Sequence, residues 1–175
     1  MAGSLIKIAE TTLSSPTASA VLTGIDSTYD VYKFVISNVQ PATDNKNMIF
    51  HITKSGSADT TANYSRAGKL LYSNTTFGND AGAGGTSTTF AFSIGNASGE
   101  TANAVLYLFN FAQASEYSFF TAESSWLDAN GVLNSFQGGG VHTVASASDG
   151  VSITIESGIN INAGAKFSLY GLKKS

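Results

Sequence analysis

Cysteine is absent from the 175-residue chain, which excludes disulfide bonds, thiolate metal sites and cysteine nucleophiles. Charged residues are scarce as well: they make up 12% of the sequence, about half of the usual ~25%. The formal net charge is −3, and the nine Lys and Arg residues are scattered singly, apart from Lys173-Lys174. Nucleic-acid-binding proteins usually carry a basic patch, because phosphate neutralisation supplies most of their affinity. We therefore expect no nucleic-acid partner.

Long apolar segments are missing too. The longest strongly apolar run, residues 104–109, is far short of the ~20 residues that cross a bilayer. Near the N-terminus, Lys7 and Glu10 interrupt any apolar region and no cleavage site follows, so no signal peptide is predicted. We expect no membrane partner and no export through a secretory signal of its own.

In place of charge, the chain is rich in Ser, Thr, Asn and Gly and contains 18 Phe and Tyr residues. About ten short runs alternate apolar and polar side chains with a period of two, and turn residues separate them. No helical period is sustained over a long window. This pattern predicts an all-β protein, a jelly-roll-like antiparallel β-sandwich that forms a single domain over residues 1–175.

The clearest strand signals lie in residues 26–54. Two alternating runs, residues 32–37 and 48–53, are joined by the polar connector 40–45, which holds the turn-forming residues Pro, Asp and Asn. The arrangement predicts that these two strands pair with each other in one antiparallel sheet.

Two glycine-rich segments, residues 74–86 and 137–140, are predicted to be mobile loops, because glycine raises the entropy cost of fixing the backbone. A phosphate-binding loop needs a helix N-terminus behind it and usually a lysine. Neither follows residues 74–86, so an ordinary loop is expected there.

The run at residues 104–111 is apolar on both faces, with Leu106 and Leu108 on one face. Since soluble monomers rarely expose a large apolar patch, this strand predicts either a subunit contact or a strand covered by a long loop. A short apolar strand at residues 4–10, within the candidate attachment segment 1–17, can pair with the sheet edge of a partner. The candidate interface residues are Leu5, Ile6, Ile8, Val105, Tyr107, Phe109 and Phe111.

No residue pattern predicts catalysis, a cofactor or a metal. His51 and His142 stand outside any metal-ligand spacing and are expected to be strand histidines. Glu116 and Glu123 are seven residues apart, which puts them on opposite faces of a continuous strand and argues against a glycosidase pair. The segment 128–131 is explained by an Asn-Gly turn better than by a calcium loop. We expect no enzyme activity.

Aromatic residues leave one alternative open. Trp126, together with Tyr117 and Phe119, can stack on a sugar or pack in the core. The first arrangement is typical of a lectin-like, carbohydrate-binding β-sandwich that recognises a host-surface glycan.

Two parts of the chain resemble small β-sandwich virion proteins of tailed bacteriophages. They are residues 20–44, which contain AVLTGI, YDVYKF and NVQPATD, and residues 159–173, which contain GAKFSLYG. The resemblance implies a non-enzymatic structural protein of the capsid-decoration, fibre or tail-accessory type, often a trimer, that binds other particle proteins such as capsid or tail proteins. It also implies synthesis in the host cytoplasm and a final location in the virion.

Overall fold

The chain is an all-β sandwich in the computed structural model, which describes residues 4–74 and 77–172. Within these ranges thirteen strands form two antiparallel sheets, as predicted from the alternation of apolar and polar residues. The strands are β1 (Leu5–Thr12), β2 (Ser19–Thr23), β3 (Val31–Val39), β4 (Lys46–Lys54), β5 (Ser57–Ala58), β6 (Tyr64–Tyr72), β7 (Gly78–Gly85), β8 (Thr88–Ile94), β9 (Ala102–Phe109), β10 (Ser118–Leu127), β11 (Leu133–His142), β12 (Gly150–Ile155) and β13 (Lys166–Leu172), with one 3₁₀ turn at Glu156–Gly158.

The larger sheet has eight strands in the order β1-β13-β3-β9-β10-β11-β6-β7. The smaller sheet has the order β2-β12-β4-β5, and β8 also pairs with β4. Strands β1 and β7 therefore form the two edges of the larger sheet. In the strands near its centre, β3, β9 and β10, alternate residues are buried.

The core lies between the two sheets and is built from every second residue of each strand, as the strand period requires. In β3 the inward side chains are Tyr32, Phe34 and Ile36, none more than 1% exposed. From the other sheet, Phe50 reaches across to Phe120, with ring centroids 5.3 Å apart. Complete burial of an aromatic or aliphatic side chain of this size contributes about 1.5–3 kcal/mol.

The predicted pairing of β3 with β4 is wrong. β3 lies between β13 and β9 in the larger sheet, whereas β4 pairs with β12, β5 and β8 in the smaller one. The connector at residues 40–45 therefore crosses from one sheet to the other. Both strands show the same alternation because each buries one face, and alternation alone does not assign a strand to a sheet.

The two predicted glycine-rich loops are strands over most of their length. Residues 78–85 form β7, and residues 137–140 lie within β11. Thr75 and Thr76, which belong to the first predicted loop, lie outside the described residues. The glycines are used for close packing, since a Cβ on Gly140 would lie 2.4 Å from Cζ of Phe120. The missing side chains thus let aromatic rings lie directly on the strand backbone.

The predicted N-terminal attachment strand is an edge strand of the larger sheet. β1 pairs with β13, and Glu10 ties the two together through Lys166 Nζ at 3.3 Å and the Ser168 hydroxyl at 2.9 Å. Met1–Gly3 and Lys173–Ser175 lie outside the described residues. No helix in residues 4–74 and 77–172 is long and apolar enough to cross a membrane.

Candidate functional site

The outer face of the eight-stranded sheet carries most of the candidate functional side chains. Strand alternation turns one set of residues away from the core, and no layer of described residues covers them. In β10 the pattern is regular: Phe119, Thr121, Glu123 and Ser125 are exposed, while the residues between them are buried. This face is the candidate functional site.

A row of apolar side chains crosses this face from edge strand β1, through the central strands, to β11. Cross-strand pairing places Val31 beside Phe109, Phe109 beside Phe119, and Phe119 beside Val141. Toward edge strand β1, on the same face, Leu5 pairs with Leu172. The antiparallel register of β13 and β3 places Leu172 next to Val31. We call these residues the apolar row: Leu5, Leu172, Val31, Phe109, Phe119 and Val141.

The structure brings together four of the seven predicted interface residues. Val105, Tyr107 and Phe109 lie on the outer face, as the alternation of β9 predicts, and Leu5 belongs to the same face through the apolar row. Ile6 pairs with Gly171 and Ile8 packs against the core, so both point to the inner side of β1. Ile6 nonetheless stays 41% exposed at the sheet edge.

Phe111 also lies away from this face, so its prediction as an interface residue is wrong. It is 1% exposed and belongs to the core. The cause is local: β9 ends at Phe109, and Asn110 adopts a left-handed backbone conformation with φ of 63°. This turn breaks the alternation and swings Phe111 inward, where its carbonyl accepts a hydrogen bond from the Ser148 N–H at 2.7 Å.

Beside the apolar row the outer face is polar. Glu123 pairs with Gln137 across β10 and β11, and Ser125 pairs with Ser135. These side chains surround a shallow depression of about 460 Å³, which Asn103 and Val105 also line. The face therefore combines an apolar side and a hydrogen-bonding side.

A second cluster consists of polar and ionisable side chains and is buried between the sheets. The Asp59 carboxylate accepts hydrogen bonds from the N–H and the hydroxyl of Thr61, at 2.9 and 2.6 Å, and lies 2.8 Å from Lys54 Nζ. Burial alone would raise the pKa of Asp59, but hydrogen bonds from Lys54 and Thr61 lower it further than burial raises it. Asp59 is therefore an anion at neutral pH. Sequence patterns did not single it out.

The two histidines lie beside this carboxylate, joined by a tyrosine. The Tyr64 ring is 4.7 Å from the His142 ring and 6.0 Å from the His51 ring, between centroids. His142 Nε2 is 3.5 Å from Asp59 Oδ2, and neither of its ring nitrogens forms a hydrogen bond within the described part of the chain. Burial lowers the pKa of both histidines, although Asp59 opposes the shift. They are strand histidines, as predicted.

The other residues considered as site candidates in the sequence do not form a common site. Glu116 lies in the turn before β10, so it does not share a strand with Glu123. Trp126 is 3% exposed and packs against Phe92, whereas Tyr117 and Phe119 are each 46% exposed. Asp128 Oδ1 accepts the backbone N–H groups of residues 130 and 132, which is the expected turn.

The described ranges contain no group of three or more His, Asp or Glu side chains that could hold a metal ion. A scan against models of protein families gives no match, and a search of curated proteins finds no similar sequence. Function is therefore inferred from the site itself and from the resemblance described above.

Proposed function

We propose that the protein is a non-enzymatic structural component of a tailed-phage particle, which binds copies of itself and other particle proteins through the outer face of its larger sheet. The observation that carries this proposal is the apolar row. It runs across six strands, with Leu5 and Phe119 exposed and the other four side chains partly exposed. A contiguous accessible apolar surface is typical of protein–protein contacts. The assignment to a phage particle rests on the resemblance to virion proteins at residues 20–44 and 159–173, which also favours a trimer.

The half of the apolar row on β1, β13, β3 and β9 is the proposed contact between copies. Leu5 is 48% exposed and lies at the sheet edge, while Phe109 lies near the centre. Lys33 places its ammonium 5.7 Å from the centroid of the Tyr107 ring on the same face, which fixes that ring beside the contact. Few charges lie along the row, so binding is expected to depend little on salt.

Replacing Phe109 by aspartate is expected to convert the oligomer to monomers, because it buries a carboxylate without a partner in the contact. Size-exclusion chromatography with light scattering at micromolar concentration measures the mass. Leu5→Asp provides a second variant at a position whose side chain is exposed in the single chain. Val21→Asp is the matched control, since Val21 is 41% exposed but belongs to the smaller sheet. A wild-type monomer would contradict the proposed contact.

Removing residues 2–10 is expected to prevent the protein from joining particles, because this deletion takes away most of edge strand β1 and its proposed pairing with a partner. The readout is mass spectrometry of purified particles, with circular dichroism of the free variant as the control for folding. The point variant Ile6→Asp tests the same edge with little disturbance of the core. Normal incorporation of both proteins rules out attachment through β1. Absence of the wild-type protein from particles rules out the whole proposal.

A second candidate function, recognition of a glycan, is favoured by one observation. Phe119 and Tyr107 are 46% and 38% exposed on the outer face, next to the polar side chains of Glu123 and Gln137. A structural protein of a particle surface and a glycan-binding protein are compatible roles for one chain.

A further inference from the structure

We infer that the outer face of β10, β11, β6 and β7 holds a site for a neutral saccharide chain, in a furrow that runs across these strands. The inference rests on the second candidate function and gives it a location, a ligand class and a binding orientation. It leaves the contact between copies on the β1, β13, β3 and β9 half of the sheet. The two halves meet at β9, where Phe109 also lines the depression beside Phe119, so they are distinguished by variants outside β9, such as Leu5→Asp and Ala67→Leu.

The floor of the furrow follows from strand register. Thr121 pairs with Gly139, Gly139 with Ala67, and Ala67 with Ala81. These four consecutive positions across four strands carry small side chains or, at Gly139, none. On the β9 side, Tyr107 pairs with Thr121 and closes the end of the furrow.

The two walls of the furrow differ in chemistry. On one side lie Phe119 and Val141, which pair with each other and belong to the apolar row. On the other side Glu123 pairs with Gln137, and Gln137 pairs with Lys69. Two depressions adjoin at Thr121, one of about 450 Å³ along the apolar wall and one of about 500 Å³ along the polar wall. Each has the size of a small-molecule site.

The polar wall has hydrogen-bonding capacity to offer. Within residues 4–74 and 77–172, the side chains of Glu123, Gln137 and Thr121 form no hydrogen bond with the protein. A carboxylate accepts hydrogen bonds, whereas an amide and a hydroxyl each donate and accept them. Lys69 is held by Asn79 through a hydrogen bond to its side-chain oxygen. One acidic and one basic residue on the same wall give no preference for a charged ligand.

A pyranose ring fits this combination of walls. Its C–H face is apolar and packs on an aromatic ring, here Phe119, while its hydroxyl edge exchanges hydrogen bonds with carboxylate and amide groups. Because the row of small side chains crosses four strands, the furrow suits a chain of sugars.

Other ligand classes fit less well. An extended peptide binds by adding to a sheet edge, where backbone N–H and C=O groups are free, but the furrow crosses strands whose backbone groups already pair with each other. A nucleic acid needs a basic surface, and Glu123 faces the furrow instead. The remaining competitor is a second copy of this chain, which the experiment below separates.

The test is an NMR titration of the ¹⁵N-labelled full chain with linear neutral oligosaccharides of glucose, mannose, galactose, xylose and N-acetylglucosamine. We expect at least one of them to bind with a dissociation constant of about 1 mM or tighter and to shift the amide signals of Thr121, Ala67 and Gly139. Phe119→Ala and Gln137→Ala should each weaken binding about tenfold, which corresponds to ~1.4 kcal/mol. Ala67→Leu should abolish binding, because it fills the floor.

Ala18→Leu is the matched control, since Ala18 is exposed but lies beside the smaller sheet; it should bind as the wild type does. Light scattering on the same samples should show that Ala67→Leu keeps the oligomeric state. If no oligosaccharide shifts the furrow signals, or if Ala67→Leu still binds, the inference is overturned while the structural proposal stands. If Ala67→Leu dissociates the oligomer and no sugar binds, the furrow holds a second copy and the saccharide site is likewise overturned.

Discussion

Replacing Gly138 by valine is expected to lower the free energy of unfolding by about 3 kcal/mol, the upper part of the range for overpacked cores. A Cβ at this position would lie 2.4 Å from the Ala67 carbonyl oxygen and 2.7 Å from Gly68 Cα, both backbone atoms of neighbouring β6. It would also lie 2.6 Å from Cζ of Phe136. Backbone atoms cannot rotate away, so the sheet itself must separate to make room.

Urea unfolding followed by circular dichroism measures the change. Gly78→Val is the matched control, because a Cβ there would meet only side-chain atoms of Tyr72 and Leu70, at 3.2 Å or more, on the edge strand β7. It should change stability by less than about 1 kcal/mol, since valine has the higher strand propensity. If residues 137–140 were the mobile loop that the sequence predicts, Gly138→Val would be nearly neutral. An unchanged unfolding midpoint would therefore contradict the packing described here.

Acidification from about pH 7.5 to about pH 5 is expected to destabilise the protein through His142 and His51. Burial lowers the pKa of both in the folded protein below the ordinary 6.5, so the unfolded chain takes up protons first. Their contribution is fully present above about pH 6.5 and is lost as the pH falls below it, by up to ~1.4 kcal/mol per pH unit for each histidine. Asp59 adds a further loss below about pH 3.8, because its folded pKa is also lowered.

The measurement is the urea midpoint as a function of pH. The chain has only two histidines, so the variants His142→Phe, His51→Phe and the double variant remove this titration stepwise. Phenylalanine keeps the ring packing against Tyr64, and no hydrogen bond of the His142 ring is lost. The double variant should show a flat midpoint between about pH 7.5 and pH 5. Equal slopes in the wild type and the double variant would show that the histidines do not govern acid stability.

The sequence predicted the fold class and the outer-face residues of β9 because both depend on local alternation. Phe34 and Leu106 are buried and Tyr107 is exposed, as a period of two requires. Alternation fails where a left-handed residue ends a strand, which is why Phe111 was misplaced. Alternation also fails for glycine. The glycines of β11 make room for the rings of Phe120 and Phe136, and residue propensities alone cannot predict such a contact.

The candidate site was predicted only in part, since it depends on register between distant strands. Leu5 and Leu172 are neighbours although they are separated by nearly the whole chain, and Phe119 joins Val141 only through the β10–β11 pairing. The furrow floor needs four strands in one register. The Asn-Gly turn at residues 130–131 was a usable signal, because it fixes the pairing of β10 with β11 and hence places Glu123 beside Gln137.

The position of β13 between β1 and β3 has a consequence for synthesis of the protein. β1 is made well before β13, the strand with which it pairs, because the other described strands lie between them in the sequence. Until β13 has been made, the edges of β1 and β3 that pair with it have no partner strand. The larger sheet therefore closes only after residues 166–172 have left the ribosome. Such non-local pairing is slow and leaves strand edges open meanwhile, so the larger sheet completes its folding only once β13 has been made.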